Sequence, residues 1–407
     1  MKKILIFSLA YYPKHIGGAE VAIKEITDRI SPEEYEFHLV CNRYDSTLPK
    51  VEQIGNVKVY RIGLTTKNPE MADLRKLPLH LCKLFYQFQA FWFAKKLHKK
   101  ERFDGVWAMM SHATGVPAAK FKRSFPDVPY VLTLQEGDPP EYIEAKMRLL
   151  KRDFDAAFAS ADKIQVISNF LGAWAKRKGF LGEPILIPNA VNTSHFTQVY
   201  SEEELNDARK ELGKKPGDVF LVTTSRLVHK NATDDTIRAI AKLPKKVHFV
   251  VYGIGPDEDM LRKLIDELGV QDQVRMLGHI DHSDMPKYLK ACDIFIRPSR
   301  SEGMGNSFVE AMAAGLPVIA TQEGGIADFL FDEHRNPDQG TTGWAVDADS
   351  PEQIAAAVED IMTRPNKVEA VTARAKALAL EKYDWDLIAR NMRNNVFSDL
   401  NSNKSSV

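Results

Sequence analysis

Cysteine is scarce. The three present, Cys41, Cys82 and Cys292, are odd in number, widely separated and without a C-x-x-C pair, which excludes a disulfide framework, a zinc ribbon and a thiol redox centre and fits a reducing, cytoplasmic setting. An excess of either charge is also missing. With 55 Lys+Arg against 55 Asp+Glu, no general electrostatic case exists for a nucleic-acid partner. No apolar run approaches the roughly 20 residues that span a bilayer. Met1-Lys2-Lys3 followed by Ile4 to Ala10 imitates a secretion signal, but the run is short and ends in Tyr11-Tyr12-Pro13, not in a small-residue cleavage site, so it reads as a first strand. Short-period repeats are absent, and the one low-complexity stretch is the polar tail Asn401 to Val407. No G-x-G-x-x-G follows the first strand, which weighs against a dehydrogenase.

What is present is a composition of 44% hydrophobic and 27% charged residues in 407, enough for two globular domains. Short apolar runs alternate with longer stretches of helical period, the pattern of parallel strands joined by crossover helices. Strands are expected at Ile4 to Leu9, Phe37 to Cys41, Val57 to Ile62, Gly105 to Met109, Tyr130 to Leu134, Lys163 to Ile167 and Ile185 to Ile187. A second set is expected at Phe220 to Thr224, His248 to Tyr252, Val274 to Leu277, Ile294 to Ile296, Val318 to Ala320 and Trp344 to Val346. The fold class is therefore α/β, with two Rossmann-like doubly wound domains at 1–194 and 195–383 and a last segment at 384–407. Charge divides between them: Met1 to His195 carries 29 basic against 21 acidic residues, the remainder 26 against 34.

In such sheets ligands sit where loops leave the carboxyl ends of strands. The most informative string, Pro298-Ser299-Arg300-Ser301-Glu302-Gly303-Met304-Gly305-Asn306-Ser307-Phe308-Val309-Glu310, follows a strand. Gly303 and Gly305 let the backbone approach a ligand, and a helix beginning near Ser307 offers free N–H groups to a diphosphate. Glu302 can face a sugar while Glu310 accepts from ribose hydroxyls; alternatively Ser307 and Glu310 form an S-x-x-E capping box. Arg226 and Lys230, in the loop after Thr224, can neutralise a leaving diphosphate without a metal, or stand as two solvated charges. His112, after the strand ending at Met109, can hydrogen-bond a sugar hydroxyl or serve only structure. His279, Asp281 and His282 suggest a metal but lack a further ligand. The D-x-D pairs Asp153/Asp155, Asp257/Asp259 and Asp384/Asp386 lie in helices or edge loops, and Asp347/Asp349 is remote in sequence from the phosphate motifs, so no metal ligand is assigned.

The Glu302 to Glu310 string resembles the E-x7-E signature of the family-4 retaining glycosyltransferases of the GT-B fold, and the resemblance extends over nearly the whole chain. It implies that two domains face each other across a cleft, the first on the acceptor side and the second binding a nucleotide diphosphate sugar, most readily a UDP- or GDP-sugar, with no tightly bound cofactor. It implies diphosphate contacts from Arg226, Lys230 and the amides of Gly303, Met304, Gly305, Asn306 and Ser307. Gly17-Gly18 resembles the N-terminal glycine loop, although taken alone it reads equally as a tight turn; Gly253 resembles a glycine turn near the nucleotide, and His279-Ile280 the base-binding segment. His112, Glu302, Arg226 and Lys230 become the catalytic set. Gln135-Glu136-Gly137-Asp138 departs from the His-Gly-Thr-Asp of relatives, so Glu136 receives no role, and the last helix from Tyr383-Asp384-Trp385 is expected to cross back to the first domain. A soluble glycoside synthase or phosphorylase of the same fold, or a nucleotide-sugar-binding protein without catalysis, remains open. Leu77 to Lys100 combines six aromatic and five lysine side chains: either a core helix with a solvated basic end, or a surface for an anionic membrane carrying a lipid-linked acceptor, with peripheral placement on its inner face.

Overall fold

A computed structural model describes residues 1–14, 16–70, 73–398 and 400; the tail Asn401 to Val407 lies outside the described residues. The chain divides into two compact units, residues 1–189 with the segment from Trp385 onward, and Ala190–Asp384.

The first unit is built on β1 (Lys2–Phe7), β2 (Tyr35–Asn42), β3 (Val51–Ile54), β4 (Val57–Ile62), β5 (Gly105–Met109), β6 (Tyr130–Leu134), β7 (Lys163–Val166) and β8 (Ile185–Leu186), in one sheet of order β3-β4-β2-β1-β5-β6-β7-β8. Every neighbouring pair is parallel except β3 against β4. Among its helices are α1 (Gly18–Asp28) and α2 (Leu79–Glu101). The helix Trp385–Asn391 packs on α1, tied by Arg29 Nε to Asp386 at 2.7 Å, and beyond it the Phe397 ring meets Trp107 edge-on.

The second unit is a parallel sheet of order β11-β10-β9-β12-β13-β14, made of β9 (Val219–Thr224), β10 (Val247–Tyr252), β11 (Val274–Gly278), β12 (Ile294–Arg297), β13 (Val318–Ala320) and β14 (Trp344–Ala345). Its central strands are covered on both faces, so Phe220, Leu221, Val222, Phe249, Val250, Val251, Phe295 and Ile296 are wholly buried. That is why they read as unbroken apolar runs and not as alternating ones.

Strand order reverses once in each sheet. In the first unit the chain builds outward from β1 through β2 and β4, then returns to β5 beside β1; in the second it returns from β11 to β12 beside β9. Carboxyl-end loops diverge at such a switch point and leave a crevice. The four loops at the two switch points, after β1, β5, β9 and β12, carry Gly17-Gly18, His112, Arg226 with Lys230, and Glu302.

Candidate active site

In the second unit, Ser225 N donates to Tyr252 O at 3.0 Å and Leu227 N to Ile254 O at 3.1 Å, so the loop after β9 lies flat against the turn after β10. This approach demands glycine: a Cβ on Gly253 would sit 1.7 Å from Ser225 O, and one on Gly255 2.1 Å from Leu227 O. The loop after β12 is held by its neighbour in turn. Gly325 N donates to Glu302 O at 3.1 Å, and a Cβ on Gly324, at φ +61°, would stand 2.0 Å from that oxygen.

The helix that follows spans Asn306–Ala314, with Gly305 (φ 88°) as its N-cap and no side-chain cap. Ser307 is thus the second helical residue, and its Oγ accepts from Arg297 Nη1 at 2.8 Å. The capping-box alternative fails on this geometry; Phe308 N turns back to Gly305 O at 3.2 Å, and the amides of Asn306 and Ser307 are left to an external acceptor. Glu310 lies a turn further on, 3.7 Å from His282 Nε2.

These pieces enclose a cavity of about 260 Å³. Of the donor-binding residues read from sequence it gathers Arg226, Gly253, His279, Ile280, Ser307 and Glu310. Glu302, Gly303, Met304, Gly305 and Asn306 form the adjacent loop and helix start; Met304 has a buried side chain and can offer a ligand only backbone. Lys230 sits in the short turn His229–Asn231, whose backbone oxygen accepts from Arg300 N at 2.7 Å. Arg226 is exposed and, among the described residues, has no carboxylate within ion-pair distance. The candidate metal group does not converge, because His279 turns to Asp281 at 3.4 Å while His282 turns to Glu310.

In the first unit, Gly17 N donates to Glu20 Oε2 at 2.8 Å, while Gly18 has open space where a Cβ would stand. His112 is the second residue of an irregular turn of Ser111–Gly115 after Met110, whose φ of 73° is unusual for a side chain of its size. Beside it Glu136 is buried, with Oε1 accepting from Ser111 N at 2.5 Å and Ser111 Oγ at 2.6 Å, and lying 3.7 Å from His112 Nδ1. Burial pushes the Glu136 carboxyl up, but His112 and the Ser111 donors outweigh it and hold the group below the ordinary carboxylate range.

Residues 205–378 match the family described as Glycosyl transferases group 1, and residues 16–195 match Glycosyltransferase Family 4. The chain belongs to the family-4 glycosyltransferases. It is 24% identical, over 95% of its length and 96% of the other's, to an uncharacterized glycosyltransferase of Methanocaldococcus jannaschii. A GDP-mannose-dependent alpha-(1-6)-phosphatidylinositol monomannoside mannosyltransferase of Mycobacterium tuberculosis is 30% identical over 50% of this chain and 53% of its own. The Anabaena protein HepE, solved in complex with UDP-glucose, superposes with a TM-score of 0.75 at 20% identity, over 98% of this chain and all of its own; that likeness shows the shared GT-B fold.

Three side chains of this glycosyltransferase escaped the reading of the sequence. Arg297 ends the apolar strand Ile294-Phe295-Ile296, where a guanidinium must find partners. Arg300 binds Asp234, Asp235 and Asp349 and joins the β9 and β12 loops. Glu136 braces the His112 turn. The available signals were an arginine closing a buried strand and the adjacent pair Asp234-Asp235.

Proposed function

We propose that this glycosyltransferase is a retaining enzyme that transfers a sugar from a UDP- or GDP-sugar without a bound metal. The observation that carries the reading is the cavity at the carboxyl ends of β9 and β12, where the exposed guanidinium of Arg226, the start of the helix Asn306–Ala314 and the Glu310 carboxylate meet. Arg226, Lys230 and the amides from Gly303 to Ser307 supply positive charge to a diphosphate, and a positioned cation with oriented amides can stabilise a leaving diphosphate in place of a divalent ion. Glu310 accepts from ribose hydroxyls, the backbone at His279 and Ile280 meets the base, and Glu302 and His112 serve the sugar. The resemblance of Gly17-Gly18 to the N-terminal glycine loop adds these two residues to the proposed donor-binding set. The acceptor hydroxyl attacks C1 on the face from which the diphosphate leaves; the new C1–O bond forms as the bond to the β-phosphate oxygen breaks, and that oxygen takes the hydroxyl proton.

Both donor bases have support, GDP from the mycobacterial relative and UDP from the Anabaena neighbour. Titration calorimetry with UDP, GDP and ADP tests the cavity: micromolar uptake of one of the first two is expected, together with a loss of about two orders of magnitude in donor turnover in Arg226→Gln. No uptake of any of the three, or an Arg226→Gln enzyme as active as the parent, overturns the reading. NMR of the product tests stereochemistry, and a β-linked product from an α-linked donor removes retention.

The acceptor is lipid-linked, and α2 supports this. Its buried face is Leu79, Cys82, Tyr86, Ala90 and Ala94, whereas Leu84, Phe85, Phe88 and Trp92 stand 55%, 50%, 42% and 63% exposed. Spaced three and four apart, they share one face of the helix, which continues into Lys95, Lys96 and Lys99. A contiguous aromatic surface running into lysines fits the interface of an anionic bilayer. The mycobacterial relative, by its name, acts on a phosphatidylinositol glycolipid. No described helix is long and apolar enough to cross a membrane, so this contact is peripheral.

A further inference from the structure

Arg297 closes β12 with its guanidinium inside the protein, the residue only 7% exposed. Burial disfavours its charge, while Glu302 and Glu310 act the other way, and an arginine keeps its proton regardless. A charge so placed needs partners. Nη2 reaches Glu302 Oε2 at 2.9 Å, Nη1 reaches Ser307 Oγ at 2.8 Å, and the guanidinium lies 4.2 Å over the Phe308 ring. Nε is buried and has no hydrogen-bond partner among the described residues. The side chain passes through space that only glycine leaves open, since a Cβ on Gly305 would stand 2.8 Å from Nη2 and 2.5 Å from the Phe308 ring.

The two arms of the guanidinium therefore span the Gly303–Gly305 loop, one on the carboxylate at its start and the other on the first helical turn at its end. The consequence at Ser307 is chemical. Its oxygen already receives an N–H, so its own proton is free to be donated, and Ser307 lines the cavity. We propose that Arg297 is a positioning residue of the diphosphate site: it turns the Ser307 hydroxyl into a donor toward phosphate, fixes the orientation of Glu302, and places a second, buried positive charge beneath the helix start. This rests on the donor reading given above, and the two can fail separately.

The test is titration calorimetry of UDP and GDP with the full chain and with Arg297→Met, Arg297→Lys, Ser307→Ala and the double variant Arg297→Met/Ser307→Ala, with a thermal midpoint recorded for each. Arg297→Met and Ser307→Ala are each expected to weaken the bound nucleotide about tenfold. The double variant should be no weaker than the worse single, because Arg297 acts through Ser307 and the Ser307 hydroxyl is a committed donor only while Arg297 holds it. Arg297→Lys, which keeps the charge but loses the fork, should recover only part of the affinity. Wild-type affinity in Arg297→Met, or losses that simply add in the double variant, overturns the inference while leaving the donor reading intact. If Arg297→Met does not fold, Ser307→Ala decides alone, and unchanged affinity there overturns it. Failure of the unmodified chain to bind either nucleotide strikes the donor reading instead.

Discussion

Asp235 shares one guanidinium with two other carboxylates. Arg300 Nη2 lies 2.8 Å from Asp235, and the same side chain reaches Asp234 at 2.9 Å and Asp349 at 2.6 Å. One positive charge cannot compensate three negative ones. Burial, reinforced by neighbouring Asp234 and opposed by Arg300, pushes Asp235 up to about 6 from an ordinary 3.8. Because the folded value lies above the unfolded one, the folded protein holds this proton between about pH 4 and pH 6, where the unfolded chain has released it. The stability so contributed is complete below about pH 4 and is lost as the pH rises through about 6. Thermal midpoints of the parent and Asp235→Asn from pH 4 to pH 7 should therefore diverge in the variant's favour as the pH rises; a pH-independent gap would disprove the assignment. Arg226 and Glu310 were legible in the sequence because each follows a recognisable strand or lies in a glycine-rich string. Arg297, Arg300 and Glu136 were not, since their roles come from partners that the fold brings close: Asp349 is remote in sequence from Arg300, and Ser111 from Glu136.

At the scale of elements, α2 carries the most consequential choice. Composition left two readings, because six aromatic side chains in a helix fit either a core or a lipid surface. Exposure of Phe85, Phe88 and Trp92 removes them from the core. Co-sedimentation with vesicles of phosphatidylglycerol and phosphatidylcholine is expected to retain the parent chain. Each lysine near an anionic surface contributes about 1 kcal/mol, so Lys96→Glu with Lys99→Glu should lower the partition coefficient by more than tenfold, and Phe85→Ser with Trp92→Ser should lower it through lost apolar contact. Binding should also weaken with salt, since screening lengths shrink from about 10 Å at 0.1 M to about 3 Å at 1 M. Equal partitioning of all variants, or none by the parent, would favour a soluble acceptor. Strands were more legible than this helix: each expected strand is present within two residues of its reading, because burial on both faces leaves long apolar runs. β3 was the exception. Its Val51-Glu52-Gln53-Ile54 is half exposed and antiparallel, and its only signal was the Gly55-Asn56 turn into β4.

For the whole molecule, the alternation of apolar strands and helical stretches sufficed to give two doubly wound sheets, because parallel strands require crossovers and crossovers impose that alternation. The same logic predicted where the chemistry would lie, since a sheet whose order reverses opens its carboxyl-end loops at one place. The charge asymmetry, basic before His195 and acidic after, was legible as well, yet the candidate anion site falls in the acidic part. A diphosphate is recognised by a few oriented amides and cations, not by net charge. This yields a test at the same scale. A nucleoside diphosphate at a hundred times its dissociation constant stabilises the state that binds it by about 2.7 kcal/mol, and hydrogen exchange locates that stabilisation along the chain. With the preferred nucleotide and no sugar, slowed exchange is expected in the segments 225–231, 253–256 and 298–310. Segments of β6 to β8 in the first unit should exchange as before. Protection confined to the first unit would mean that the Arg226 and Gly303 to Ser307 assembly is not the diphosphate site, whatever the enzyme's overall activity.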